Sequence, residues 1–80
     1  MEFNSGALRD AHGALRAYAS TEDPKQFEPA HAALSTLVVT AQRRGDSAMA
    51  AELIEARNML NYGPQGATDA EAVLDRIETR

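Results

Sequence analysis

The stretch from Phe27 to Arg44, FEPAHAALSTLVVTAQRR, constrains the fold of this chain more than any other. Wound as an α-helix, it places Phe27, Ala30, Leu34, Leu37, Val38 and Ala41 on one stripe at the three-and-four spacing of a buried face. Val39 and Ala32 point nearly the opposite way. A helix that is apolar on two sides normally has neighbours on two sides. The segment therefore reads as the central helix of a small bundle, with the other helices packed around it.

Composition limits what those helices can contribute. Eighty residues make one domain, near the lower bound for stability without help. Sixteen residues are alanine, against two Phe, two Tyr and no Trp. Alanine favours helix and lets helices approach, but it buries little area. With no cysteine, neither disulfides nor thiolate metal sites can add stability. A marginal monomer or an obligate homodimer is the expectation. The opening MEFNSGALRD lacks the basic and apolar regions of a signal peptide, and no apolar run approaches the ~20 residues of a membrane span. These features point to a cytoplasmic protein with no membrane partner. A net charge of −4 argues against nucleic acid and anionic lipid.

In chain order, 1–4 is a loose lead anchored by Phe3, and Ser5 is the N-cap of a first helix over 6–20. Leu8, Ala11, Leu15, Tyr18 and Ala19 form its stripe, with Gly13 off it. Asp23, Pro24 and Gln26 have the spacing of an N-cap, an N1 proline and a capping-box partner. A proline as deep as Pro29 would cost a helix dearly, so a separate turn is expected over 24–28 and the main helix over 29–44. Gly45 supplies the stop, and Asp46 or Ser47 caps a third helix over 47–61. Its face is Met49, Leu53, Ala56 and Leu60, with Ala50 at the edge and Ile54 and Met59 on opposite flanks. Tyr62-Gly63-Pro64 is a stop with a left-handed glycine, and Thr68-Asp69-Ala70-Glu71 is a capping box. The fourth helix, 69–79, carries Ala70, Val73, Leu74 and Ile77 inward. The fold class is all-α: four helices in a single domain spanning 1–80, with helices 2 and 3 as a central hairpin.

For function, the candidates are few. His12 and His31 sit at stripe edges and would approach if helices 1 and 2 pack antiparallel, but no His-x3-His or His-Glu spacing supports a ligand set. Glu52, Glu55, Asp75 and Glu78 fall on solvated faces, where a catalytic pair lacks the shielded cleft it needs. No enzyme, cofactor or metal is expected. The run Ala41-Gln42-Arg43-Arg44-Gly45 places an alanine four residues before a turn glycine and resembles the middle of a helix-turn-helix. That resemblance implies Ala41 as the small residue of the first helix and Gly45 as the turn residue. The chain departs from the motif at Asp46, where an apolar residue is usual. Helix 3, the recognition helix of such a reading, carries Glu52 and Glu55 against Arg57, and acids repel phosphates. The same hairpin resembles a single tetratricopeptide-type unit, with Gly45-Asp46 as the turn and Ala50 as the small packing residue. Its aromatic residues are missing, Ala56 arrives one position early, and no second copy follows at a period of about 34 residues.

What is left is surface. Val39, Ile54 and Met59 exceed what a two-helix seam requires, and Arg43 and Arg44 lie along the same hairpin. Methionine and arginine both suit binding surfaces. The expected function is therefore a small non-enzymatic protein-binding module. It would serve as an inhibitor, adaptor or regulatory subunit, accessory proteins of mobile elements included. Val39, Arg43, Arg44, Ile54 and Met59 would meet the partner, either another protein or a second copy. A dimeric helix-turn-helix regulator is the alternative, and a small metal-binding protein or enzyme the third reading.

Overall fold

A computed structural model of the chain describes residues 5–79. The lead with Phe3, the capping side chain of Ser5 and the terminal Arg80 lie outside the described residues. Four helices form: α1 (Ser5–Thr21), α2 (Phe27–Arg43), α3 (Ser47–Met59) and α4 (Pro64–Glu78). Two 3₁₀ turns, Pro24–Gln26 and Leu60–Tyr62, precede α2 and α4.

Local chemistry explains most of the joints. Just after α1, Glu22 takes a left-handed φ of 53° and donates its N–H to the Tyr18 carbonyl at 3.0 Å. Asp23 then accepts from the Lys25 N–H at 2.9 Å, with Pro24 in the first position of the 3₁₀ turn. After α2, Gly45 takes φ 73°. Its N–H bonds the Gln42 carbonyl at 3.1 Å, and the Asp46 N–H bonds that of Ala41 at 3.0 Å. This is the double closure of a Schellman motif. Asp46 restarts the chain by accepting from the Met49 N–H at 3.0 Å.

Two boundaries differ from the sequence reading. Helix 2 begins at Phe27, not at Pro29, because the turn 24–26 runs directly into it. Pro29 is then the third residue of the helix, where its missing N–H is one the first turn would leave unpaired anyway. Helix 4 begins at Pro64, not at 69, so Thr68-Asp69-Ala70-Glu71 lies inside the helix and caps nothing. Gly63 is not the left-handed C-cap expected: its φ of 93° and ψ of −165° belong to a region that only glycine occupies. Pro64 follows at the position that suits proline best. Gly66 and Ala67 are buried and extend the inward face of α4 by a turn. A β-carbon on Gly66 would lie 1.7 Å from the Met59 carbonyl oxygen, so only glycine lets α4 start this close to the end of α3.

Each helix packs on two others, in the ring α1–α2–α3–α4 and back to α1. The α2–α3 hairpin forms as expected, but α2 is not surrounded: α4 lies diagonally across from it. Every helix supplies at least one large, fully buried side chain: Leu15 from α1, Leu34 and Leu37 from α2, Leu53 from α3, and Val73 and Leu74 from α4. Leu60 closes the end by the second 3₁₀ turn. Tyr18 packs edge-on to Phe27 with ring centroids 6.0 Å apart. No helix among the described residues is long and apolar enough to cross a membrane.

Candidate functional site

The inward stripe of α2 is buried as its spacing demands, with Ala30, Leu34, Leu37, Val38 and Ala41 at or below 4 % exposure. Its second apolar side finds no cover among the described residues. Val39 is 45 % exposed, and Ala32, about two turns back on the same side, is exposed as well. From Pro29 to Gln42 the helix carries no Asp, Glu, Lys or Arg, although Pro29, Ala32, Thr36, Val39 and Gln42 are exposed. Thr36 and Thr40 turn their hydroxyls back onto the Ala32 and Thr36 carbonyls, at 3.1 and 3.0 Å. Those bonds occupy both hydroxyl protons within the helix. The outer face of α2 is thus neutral along its length, with Glu28 exposed at one end and Arg43 at the other.

Around the hairpin, the five residues expected to meet a partner separate into groups. Val39 stands on the outer ridge. One turn on, Gln42 borders an open depression of about 330 Å³ that Ile54 lines together with Gly45, Ser47, Ala50 and Ala51. Small side chains dominate that lining, which lets another backbone come close. Ile54 is half-buried and packs in part on the core. Met59 also packs on the core, but it lies about 140° around α3 from Ile54 and belongs to the opposite flank. It does not share a surface with Val39. Arg43 is exposed, whereas Arg44 is half-buried as the C-cap residue of α2. Tyr62, exposed at 84 %, lies at the end of the bundle away from the α2–α3 turn.

The face that a helix-turn-helix would need is different in kind. Arg57 is directed into the hairpin, donating to the Ser35 hydroxyl at 3.3 Å. The exposed positions of α3 are Ser47, Ala48, Ala51, Glu55 and Asn58, which include a carboxylate and no cation.

A second cluster joins α1 to α4. Glu71, Asp75 and Glu78 recur at four and three residues along one flank of α4 and meet His12 of α1. His12 Nδ1 is 3.4 Å from Glu71, its Nε2 is 3.5 Å from Asp75 and in contact with Glu78, and Arg16 donates to Glu71 at 3.0 Å. His12 and His31 have different partners. His31 stacks on Phe27 at 5.5 Å, one turn back on its own helix, while His12 serves the α1–α4 seam. Ligand atoms of His12, Asp75 and Glu78 lie within 4.8 Å of one another, close enough to share a cation. Asp75 and Glu78 are 69 % and 42 % exposed, however, and both already face the imidazole. Arg16 and Glu71 form an ion pair between the two helices, while His12 Nε2 is buried without a hydrogen-bond partner among the described residues. The sequence reading missed it because the partners are 55 and 59 residues apart; only the spacing of the three acids was there to see.

Comparison with family models, with curated proteins and with solved structures finds no match to this chain.

Proposed function

We propose that this chain is a non-enzymatic interaction module that holds another protein against the outer face of α2 and the adjoining α2–α3 depression. The observation that carries the reading is a solvent-facing helix side with no charged residue from Pro29 to Gln42 and with Val39 standing out of it. Solvated helix faces are normally strewn with charge, and a neutral apolar strip with a charged residue at each end is what a desolvated contact with a polar rim requires. Val39 is the apolar anchor, the small residues around Ile54 admit the partner's backbone, and Arg43 works at the rim. Met59 is left out, since it lies on the other flank of α3. The exposed side of α3, acidic and without a cation, favours this reading over contact with DNA. An inhibitor, an adaptor and a regulatory subunit would all use such a face in the same way.

Site-specific photo-crosslinking in the native host tests the proposal. A photoreactive residue replacing Val39 is expected to give discrete protein adducts, and the same residue replacing the exposed Thr68 of α4 is not. Equal labelling from both positions, or none from position 39, would refute it.

A further inference from the structure

The uncovered side of α2 is self-complementary when reversed. Glu28, Ala32, Thr36, Val39 and Arg43 follow one another at steps of four, four, three and four, so they fall on one line within an arc of about 80°. All five are exposed. The line lies opposite Ala30, Leu34, Leu37, Val38 and Ala41, so neither α1 nor α3 overhangs it. An acid opens it and a base closes it. Ala32 stands as far from the acid as Val39 stands from the base.

Resting on the protein-binding reading above, we propose that the occupant of this face is a second copy of the chain, docked antiparallel along α2. A two-fold axis perpendicular to the helix, passing between Ser35 and Thr36, brings Glu28 opposite Arg43 of the second copy and Ala32 opposite its Val39. Each valine then enters the space that an alanine leaves, the packing of a knob into a hole. Thr36 meets its own counterpart near the axis with its hydroxyl already bonded to the Ala32 carbonyl. The symmetry forms the Glu28–Arg43 pair twice, once at each end. Neither Glu28 nor Arg43 has an ion-pair partner within the chain among the described residues. A parallel arrangement would set Glu28 on Glu28 and Arg43 on Arg43, and like charges at these ends repel. The same axis supplies a neighbour on the outer side of α2, which α1 and α3 leave uncovered.

The line is about 22 Å long. A contact of that size falls short of the ~1,200 Å² of a stable interface, so the dimer is weak, with a dissociation constant between about 10 μM and 1 mM. Sedimentation equilibrium at low salt, with protein up to about 1 mM, is the test. The wild type is expected to dimerise, and Glu28→Arg and Arg43→Glu each to weaken the dimer by about tenfold or more, since each reversal acts at two places. An equimolar mixture of the two variants is expected to recover wild-type affinity, because the mixed pair restores attraction at both ends. If a reversal perturbs folding by circular dichroism, Glu28→Gln and Arg43→Gln replace it, with a smaller loss and a weaker salt dependence expected. A wild type that stays monomeric at about 1 mM overturns the second-copy occupant, and position-39 adducts to a different protein would then leave the broader reading standing. A dimer that the reversals do not weaken, or that the mixture does not restore, overturns the antiparallel register.

Discussion

Replacing Gly66 with alanine is expected to destabilise the domain by about 2–4 kcal/mol, although alanine is the better helix former by about 1 kcal/mol. The added β-carbon would lie 1.7 Å from the Met59 carbonyl oxygen and 2.7 Å from its carbon. Carbon and oxygen settle at about 3.3 Å, so the first turn of α4 must retreat by roughly 1.5 Å. Both obstructing atoms belong to backbone, and no change of rotamer can relieve them. The retreat also loosens the packing of Leu60 and Ala67, which are 1 % and 0 % exposed. A loss of this size is a large part of the ~4–12 kcal/mol that a domain of this length commands. Its sign decides between two structures. If the helix began at 69, position 66 would be loop, and the substitution would be neutral or mildly stabilising. Urea denaturation followed by helical circular dichroism measures it, and a midpoint at or above that of the wild type would refute the close approach of α3 and α4. Gly13→Ala is the matching control: a β-carbon there meets nothing within 4 Å, so the same substitution should stabilise by about 0.5–1 kcal/mol.

Leu34→Ala and Leu53→Ala, at 0 % and 1 % exposure, should each cost about 2–5 kcal/mol, and thermal melts within a few degrees of wild type for both would show the core to be elsewhere. Zinc in about tenfold excess should leave the melting temperature unchanged, because Asp75 and Glu78 are 69 % and 42 % exposed and stay hydrated; a saturable rise that His12→Ala abolishes would reassign that cluster to a metal.

The inward faces were legible because periodicity is a local signal. All four α4 residues read as core, Ala70, Val73, Leu74 and Ile77, are buried, and the Gly45 stop closes as a Schellman motif. The errors arose where a local pattern competes with contacts distant in sequence. Thr68-Asp69-Ala70-Glu71 has the letters of a capping box, but Glu71 reaches Arg16 and His12 of α1, and α4 starts a turn earlier. Nothing local marks Gly66; its role comes from the Met59 carbonyl placed against it. Pro29 carries a cost only deep in a helix, and with α2 beginning at Phe27 it falls in the first turn, where that cost vanishes. For the candidate site, the two apolar sides of α2 were visible, but the missing cover was not. Periodicity says which way Val39 points, and only the ring of four helices says that none of the described residues covers it. Ile54 and Met59 were likewise seen on opposite flanks, yet their grouping with Val39 needed the position of α2 to be tested.

The central claim is that the neutral outer side of α2 is a contact surface, and amide chemical shifts recorded across a dilution series probe it residue by residue. Concentration-dependent shifts are expected at Glu28, Ala32, Thr36, Val39 and Arg43, fading through Ala51 and Ile54 of α3, with the outer faces of α1 and α4 unmoved. Shifts that gather instead around His12, Asp75 and Glu78, or that spread evenly over all four helices, would contradict it.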